Sequence, residues 1–285
     1  MLTYREAFYQ LKTNLQPLYD EREAASVAHE LLYHITSLDK TQRLLQKETR
    51  FSEDQQKQYE HAMDALTVGV PLQYVTHTAW FLAREYYVNE HVLIPRPETE
   101  ELVLWIIENT KPRNQKLRVL DIGTGSGCIA ISLKLAIGQA EVTSCDVSYD
   151  AIEVARRNSK KLNASVELLQ IDFLDTTLHT KLGTYDVIVS NPPYIPVAER
   201  ERLHTNVKDH EPGLALFVPD NDALVFYRAI ASFGRQHLNT NGYIYCELDS
   251  GHAMECKALF EETGYKSVEI RKDMHGNWRM LSATK

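Results

Sequence analysis

The chain of 285 residues has little cysteine and arranges what it has without any pairing pattern. Only four cysteines are present, and no two of them form a C-x-x-C pair. Zinc ribbons and disulfide-stapled folds depend on closely spaced pairs, so the sequence predicts neither a metal site nor a disulfide framework. A reducing compartment, the cytoplasm, suits these scattered thiols best.

Long apolar runs and an excess of basic residues are also missing. No apolar run reaches the roughly 20 residues that cross a bilayer, and the first residues have no signal-peptide pattern, so export is not expected. Acidic residues outnumber basic ones by 39 to 31, which gives a formal net charge of −8. Because lysine and arginine supply most of the affinity for a phosphate backbone, stable nucleic-acid binding is not expected. The lack of a spanning run likewise predicts no membrane partner.

The first 75 residues show helical patterns. Apolar residues recur at helical spacing in several segments. Ser52, with Gln55 three positions later, forms a capping-box pattern at the start of the last long segment. Gly69 and Pro71 then end the pattern. Residues 1–75 are therefore predicted to form a small helical-bundle domain.

Residues 76–97 are predicted to form a β-hairpin linker. Two short runs rich in aromatic and β-branched residues flank the turn-like pair Asn89-Glu90. From Glu98 onward, short apolar strands alternate with amphipathic helices, which is typical of a doubly wound α/β sheet with a parallel core. Residues 98–285 are predicted to form one α/β domain.

A glycine-rich loop follows the first strand of that domain. It reads DIGTGSG and contains Asp121, Gly123, Thr124, Gly125, Ser126 and Gly127. A helix begins at once, so backbone N–H groups and the helix N-terminus would face a ligand. Cys128 stands where a dinucleotide fingerprint needs a small residue, and Asp121 would repel a pyrophosphate but accept from an ammonium group. The loop indicates a zwitterionic amino-acid ligand; the alternative is a tight turn that binds nothing.

Two further strand ends carry polar or aromatic residues. Asp146 ends the second strand, where an acid typically binds ribose hydroxyls. Asp172 and Phe173 follow the third strand, where an aromatic ring can pack against a flat base. An amino-acid end, a ribose and a base together describe S-adenosylmethionine. The loop and these strand ends are therefore predicted to bind that cofactor.

A second motif, SNPPYI from Ser190 to Ile195, ends the fourth strand. Proline cannot donate to a sheet ladder and has a fixed φ, so the two prolines stop the strand and stiffen the residues after it. DIGTGSG resembles motif I of the class I S-adenosylmethionine-dependent methyltransferases. NPPY resembles their motif IV in enzymes that methylate amide or exocyclic amino nitrogens. The resemblance implies a Rossmann-like methyltransferase sheet behind the N-terminal helical bundle and the hairpin.

Three longer stretches narrow the resemblance. They are VLIPRPETEELV (92–103), EPGLALFVPDNDALVFYRAI (211–230) and KDMHGNWRM (272–280). In this order, behind a helical domain, they resemble the HemK-like protein-(glutamine-N5) methyltransferases. That resemblance implies methyl transfer from S-adenosylmethionine to the glutamine amide of the Gly-Gly-Gln motif in class I peptide chain release factors, with S-adenosylhomocysteine as product. A cytoplasmic monomer is expected.

The resemblance also implies roles for the second motif. The Asn191 side-chain oxygen and the Pro192 carbonyl would accept hydrogen bonds from the two amide protons of the glutamine. Pro193 would lie beside the substrate, Tyr194 would lie against the planar amide, and Asn191 would also border the cofactor. From its position between hairpin and catalytic domain, Arg96 is predicted to hold a carboxylate on the substrate side.

Other functions are compatible with the same residues. An adenine-N6 methyltransferase acting on DNA or RNA would present the same acceptors to a flipped base, although the acidic balance counts against it. A non-catalytic protein could keep the fold as a binding platform. The N-terminal domain is interpreted as a clamp for the protein substrate, with a stabilising appendage as the alternative. One departure from the family pattern lies after Glu247, where residues 248–252 read LDSGH.

Overall fold

The structure is a computed structural model that describes residues 1–110 and 116–285. The chain divides into two compact units. The first, here called the helical unit, contains Met1–Thr78 and His204–His210. The second, the sheet unit, contains Ala79–Leu203 and Glu211–Lys285.

The described residues form helices up to Val75 and both strands and helices from Thr78 onward. In chain order the α-helices are α1 (Tyr4–Leu15), α2 (Glu21–Thr36), α3 (Lys40–Leu45), α4 (Glu53–Thr67), α5 (Leu72–Val75), α6 (Pro97–Thr110), α7 (Cys128–Ala136), α8 (Tyr149–Lys161), α9 (Thr205–His210), α10 (Gly213–Leu216), α11 (Val225–His237) and α12 (Ala253–Glu262). The strands are β1 (Thr78–Phe81), β2 (Arg84–Tyr87), β3 (Arg118–Ile122), β4 (Glu141–Asp146), β5 (Glu167–Gln170), β6 (Tyr185–Ser190), β7 (Ile195–Pro196), β8 (Phe217–Val218), β9 (Leu238–Glu247), β10 (Lys266–Lys272) and β11 (Trp278–Thr284).

The helical unit is held together by capped helices around an apolar core. Thr3, Asp39 and Ser52 each form a capping box, so side chains satisfy backbone N–H groups that the first helical turn leaves unpaired. The predicted pairing of Ser52 with Gln55 is confirmed. The core residues lie at helical spacing on α1, α2 and α4; they include Leu11, Leu15, Leu31, Leu32 and Leu66. Burial of these faces stabilises helices that would be marginal alone.

One segment of the helical unit comes from much later in the chain. The ring of His204 stacks on Tyr19 with centroids 6.1 Å apart, and Asn206 bonds to the Tyr19 hydroxyl. On α9, His210 Nε2 lies 3.2 Å from the Val68 carbonyl oxygen. These contacts join residues that are far apart in the chain, and local sequence patterns gave no sign of them.

The sheet unit contains a seven-stranded sheet in the order β10-β11-β9-β6-β3-β4-β5. Strands β9, β6, β3, β4 and β5 pair in parallel, whereas β10 and β11 pair antiparallel at one edge. The chain builds outward from β3 in one direction and then returns to add β6 on its other side. This reversal confirms the predicted doubly wound α/β fold and opens a crevice at the carboxyl ends of β3 and β6.

Both faces of the sheet are covered by helices. On β6, Ile188 belongs to the apolar cluster that includes α11 and α12, while Val187 and Val189 belong to the cluster that includes α6 and α7. Neighbouring residues of a strand point to opposite faces, so a strand covered on both sides needs an almost continuous apolar run. No helix in the described ranges is long and apolar enough to span a bilayer.

The hairpin differs from its prediction. Its strands are β1 and β2, and the turn lies at Leu82-Ala83 rather than at Asn89-Glu90. Leu82 and Ala83 both have left-handed φ values, 47° and 58°, and the Leu82 N–H donates to Glu100 Oε1 at 2.7 Å. Neither residue type favours this conformation, so the turn rests on a tertiary contact that sequence patterns do not show.

Candidate functional site

A cavity of about 320 Å³ lies at the carboxyl ends of the parallel strands, in the sheet unit. Ile122 and Ser190 line it where β3 and β6 end. The predicted site residues that line it are Arg96, Gly123, Thr124, Gly125, Ser126, Asp146, Asp172, Phe173, Asn191, Pro192 and Pro193. Residues more than 90 positions apart in sequence thus meet in one pocket, at the place where open α/β sheets bind ligands.

The glycine loop is shaped by left-handed backbone and by hydrogen bonds to β4. The N–H groups of Gly123 and Thr124 both donate to the Cys145 carbonyl, at 2.9 and 3.0 Å. Gly127 has a φ of 81°, and a Cβ there would come within 2.9 Å of Ile131 Cδ1 and 3.2 Å of Ala155 Cβ. Only glycine therefore fits between the loop and α8 at this position.

Asp121 is fully buried behind the loop and does not line the cavity. Its Oδ2 accepts hydrogen bonds from Ser144 Oγ at 2.8 Å and Thr124 Oγ1 at 3.1 Å. Burial raises the pKa of this carboxyl to about 6, against the lowering effect of the two hydroxyls. The carboxyl supports the loop from beneath through Thr124.

Asp146 is tied directly to the loop. Its Oδ2 accepts from the Gly125 N–H and its Oδ1 from the Ser148 N–H, both at 2.9 Å. Burial raises the pKa of this carboxyl, while the backbone donors lower it. Each carboxylate oxygen can accept more than one hydrogen bond, so Asp146 retains capacity for ligand hydroxyls.

Asp172 and Phe173 contribute differently from each other. The Asp172 side chain is exposed, and its Oδ1 accepts from the Leu174 N–H at 3.0 Å. Phe173 is buried, and its ring packs against His179 and Phe233, with centroids 4.8 and 5.2 Å away. Phe173 thus builds the floor of the cavity from the apolar core.

The second motif lies next to the glycine loop. Ser190 Oγ donates to the Ile122 carbonyl at 2.7 Å, which joins the ends of β6 and β3. A Cβ on Gly123 would lie 4.0 Å from the Asn191 carbonyl oxygen. Asn191 Nδ2 donates to Thr99 Oγ1 at 3.1 Å. The two motifs therefore form a single site.

Two other predicted residues lie outside the cavity lining. Gly127 packs against α8. Tyr194 packs against the apolar cluster between the sheet and α11, and burial raises the pKa of its phenol. Both shape the site from behind its surface.

Arg96 has a carboxylate partner within the same unit. Its guanidinium pairs with Glu211, whose side chain is buried, and Glu211 Oε2 also accepts from the Ile94 N–H at 3.2 Å. Arg96 is one-third exposed and lines the cavity. The ion pair fixes the segment before α6 against the segment that leads into α10.

Sequence reasoning missed a buried pair behind Asn191. Thr99 Oγ1 donates to Glu247 Oε2 at 2.6 Å, and both side chains are 2% exposed. Burial raises the pKa of Glu247 to about 7, while the Thr99 hydrogen bond and the Arg279 charge lower it. Glu247 ends a predicted strand, as Asp146 does, so its position in the sequence could have indicated a site residue.

The LDSGH segment after Glu247 forms its own contacts. The Leu248 N–H donates to the Arg279 carbonyl at 2.8 Å, and Arg279 Nη1 donates to the Leu248 carbonyl at 2.9 Å. Asp249 Oδ2 accepts from the Gly251 N–H at 3.0 Å and lies 2.9 Å from His252 Nδ1. Although LDSGH differs from the family pattern, the hydrogen bonds between Leu248 and Arg279 hold the chain directly after Glu247 in place.

The cavity has the donor and acceptor set that S-adenosylmethionine requires. Asp121 Oδ1 and Ser126 Oγ are buried without a hydrogen-bond partner among the described residues. Apolar side chains line the walls, among them Ile129, Val147 and Ile171. Of the residues that carry these oxygens, Ser126 lines the cavity and Asp121 supports the loop from behind; with the Asp146 carboxylate in the same lining, the residues fit this cofactor. The described residues contain no cluster of three or more metal-binding side chains.

Known families match both parts of the chain. Residues 101–208 match the methyltransferase small domain, and residues 6–76 match the PrmC N-terminal domain. Curated proteins named release factor glutamine methyltransferase are similar over nearly the full length. The protein from Flavobacterium psychrophilum is 39% identical, covering 98% of this chain and 96% of its own. That from Bacteroides thetaiotaomicron is 37% identical, covering 96% of this chain and 98% of its own.

Solved structures share the fold at low sequence identity. The hMettl16 catalytic domain in complex with an RNA hairpin has a TM-score of 0.55 at 15% identity, covering 82% of each chain. A T. thermophilus 16S rRNA methyltransferase in complex with AdoMet and guanosine has a TM-score of 0.52 at 18% identity, covering 73% of this chain and 49% of that one. These likenesses confirm a methyltransferase fold.

Proposed function

Because this chain belongs to the release factor glutamine methyltransferase family, we propose that it transfers a methyl group from S-adenosylmethionine to the glutamine side-chain amide in the Gly-Gly-Gln motif of class I release factors. The S–CH₃ bond of the cofactor breaks as the N–CH₃ bond forms, which leaves S-adenosylhomocysteine, and the amide nitrogen gives up one proton. The observation that carries the proposal is the meeting of the two motifs, with Asn191 beside Gly123 in one cavity.

The chemistry asks for positioning rather than for a strong base. The lone pair of a carboxamide nitrogen is delocalised into its carbonyl, so this nitrogen is a poor nucleophile. Two acceptors aimed at the two N–H bonds hold the nitrogen in place and favour localisation of the lone pair. Asn191 Oδ1 and the Pro192 carbonyl are those acceptors. Pro192 suits this role because its own φ is fixed.

The remaining site residues hold the reactants and exclude water. When bound, the cofactor supplies an electrophilic sulfonium methyl group. The loop from Gly123 to Ser126 and the Asp146 carboxylate orient it towards Asn191. Tyr194 stiffens the wall beside the substrate amide, and the ion pair between the partly exposed Arg96 and the buried Glu211 fixes the rim. Excluding water strengthens the hydrogen bonds to the NH₂ group.

In this proposal the helical unit binds the release factor at a surface away from its Gly-Gly-Gln motif. Its match to the PrmC N-terminal domain supports a dedicated module, and α3 exposes Leu44 and Leu45, 67% and 83% exposed. Neighbouring exposed leucines are suited to contact with another protein. The domain limits of 1–75, 76–97 and 98–285 are part of the proposal, as are a monomeric enzyme, a cytoplasmic location, and the absence of stable membrane or nucleic-acid binding.

A methyl-transfer assay tests the proposal. Purified class I release factor and adenine-containing DNA or RNA are offered separately with methyl-labelled S-adenosylmethionine, beside a release factor whose Gly-Gly-Gln glutamine is replaced by alanine. Label on intact release factor, lost from the altered one and from Asn191→Ala enzyme, is the expected result. Label on adenine would show that the substrate is a nucleic acid rather than a release factor. Cofactor binding without any transfer would leave a binding platform.

A further inference from the structure

We propose that Thr99 and Glu247 are positioning residues that decide which end of the Asn191 side-chain amide faces the cavity. The inference rests on the proposed function, in which Asn191 Oδ1 accepts a hydrogen bond from the substrate NH₂ group. Thr99 lines the cavity and Glu247 does not, but the proposed role of both is to orient Asn191 rather than to bind the substrate. They act through Asn191.

Three elements bring these side chains together. In the parallel pairing of β6 with β9, Ser190 is opposite Cys246, so Asn191, just after β6, lies beside Glu247, the last residue of β9. Thr99 stands in the first turn of α6. Its hydroxyl oxygen is 3.1 Å from Asn191 Nδ2 and 2.6 Å from Glu247 Oε2. The hydroxyl thus bridges the amide and the buried carboxylate.

The direction of the two hydrogen bonds follows from the groups themselves. Above about pH 7 the Glu247 carboxyl is ionised in the folded protein and can only accept, and a hydroxyl carries a single hydrogen. A separation of 2.6 Å between Thr99 Oγ1 and Glu247 Oε2 lies in the range for a hydroxyl donating to an ionised carboxylate. The hydroxyl has then used its hydrogen, so towards Asn191 it can only accept. The amide must present its NH₂ group to Thr99 and its oxygen to the other side.

This orientation matters because an asparagine amide has nearly the same shape when rotated by 180°. In the rotated form, Asn191 would offer an NH₂ group to the NH₂ group of the substrate, and two donors would face each other without an acceptor between them. Buried polar groups in such an arrangement are costly. A glutamine amide would still enter the cavity, but its nitrogen would lack one of its two acceptors.

Arg279 supports the arrangement from the far side of Glu247. Its charge lowers the pKa of the buried carboxyl, which burial raises, and so favours the ionised acceptor. Arg279 is itself fixed by the Leu248 carbonyl at 2.9 Å and lies 3.5 Å from Asp273 Oδ2. Arg279 thus favours the ionised form of Glu247, the Glu247 carboxylate accepts the Thr99 hydrogen, and Thr99 then accepts from the NH₂ group of Asn191.

Two substitutions of similar shape separate the hydroxyl from the packing of Thr99. Thr99→Val removes the hydroxyl and keeps the volume, and Thr99→Ser keeps the hydroxyl. We expect kcat with release factor to fall about tenfold in Thr99→Val, the size typical for one lost hydrogen bond, and to recover most of the rate in Thr99→Ser. KM for release factor and cofactor affinity by calorimetry should stay within about twofold. Thr110→Val, which removes a buried hydroxyl bonded to Ile106 on the same helix, should leave kcat unchanged.

A double-mutant cycle tells positioning apart from structural support. If Thr99 acts through Asn191, adding Thr99→Val to Asn191→Ala should cause no further loss of kcat. A full additional tenfold loss in the double variant would overturn the proposal. So would a Thr99→Val enzyme with wild-type kcat.

A nuclear magnetic resonance experiment tests the same inference without any substrate. The side-chain NH₂ resonance of Asn191 is identified by its loss in Asn191→Ala, and its hydrogen exchange is followed in protein labelled with nitrogen-15 at asparagine. We expect exchange to be slowed in wild type and Thr99→Ser and to be faster in Thr99→Val. Equal exchange in all three would overturn the proposal, whatever substrate the enzyme methylates. Absence of methyl transfer to release factor would count against the proposed function alone.

Discussion

Replacing Glu247 by glutamine changes how stability depends on pH. Burial raises the pKa of this carboxyl from 4.5 to about 7 in the folded protein. In the unfolded chain the group titrates near its ordinary value. Around it lie Thr99, which donates to it, the charges of Arg279 and Arg96, which lower its pKa, and Glu98, which raises it.

The sign and size follow from these two pKa values. Below about pH 4.5 the carboxyl is protonated in both states and contributes nothing to the pH dependence. Between about pH 4.5 and pH 7 the unfolded chain loses this proton while the folded protein keeps it, so rising pH favours unfolding. A pKa difference of about 2.5 corresponds to ~3 kcal/mol, which is reached above pH 7. The uncharged Glu247→Gln variant lacks this dependence.

Urea unfolding of wild type and Glu247→Gln at several values between pH 4.5 and pH 8 measures the effect. All three tryptophans, Trp80, Trp105 and Trp278, belong to the sheet unit, so their fluorescence follows the unit that holds Glu247. We expect the variant to gain ~3 kcal/mol relative to wild type across this range. Asp121, with its pKa raised to about 6, is present in both proteins, so its contribution cancels in the difference. A difference that is constant with pH would refute the reasoning.

Three further predictions concern the glycine loop, the cofactor and the helical unit. Gly127→Ala should lower the free energy of unfolding by about 2–4 kcal/mol, because the strain of a left-handed backbone adds to the close contact with Ala155. Gly276→Ala, at a φ of 85° with no atom within 4 Å, should cost only the strain, about 1–2 kcal/mol. Equal losses of the two variants in urea unfolding would contradict the role of the contact. Asp146→Ala should weaken S-adenosylmethionine binding in calorimetry by at least about tenfold. Asp146→Asn should lose less affinity, because its amide oxygen can still accept from the Gly125 N–H. Unchanged affinity in both variants would show that Asp146 does not bind the cofactor. Replacing Leu44 and Leu45 by serine should raise KM for whole release factor but not for a short Gly-Gly-Gln peptide, and equal effects on both would contradict substrate recognition by α3.

Local patterns were sufficient for most of the architecture. The helix-strand alternation predicted the doubly wound sheet because a parallel strand buried on both faces needs a nearly continuous apolar run, as in β6. The capping box at Ser52 was predictable because its hydrogen bonds join residues three positions apart. The hairpin turn was not, since the Leu82 N–H is satisfied by Glu100 on another element.

The candidate site divides in the same way. The glycine loop, the strand-end acids and the NPPY motif could be recognised as candidates without a structure, because each depends on a short contiguous stretch whose backbone chemistry is local. The supporting contacts became visible only in the folded chain: Glu211 pairs with Arg96, Asp121 lies beneath the loop, and Thr99 bonds to both Glu247 and Asn191. The contacts of Glu211 with Arg96 and of Thr99 with Glu247 and Asn191 join residues 92 to 148 positions apart. Sequence spacing does not encode such distances, because they depend on the order in which strands join the sheet.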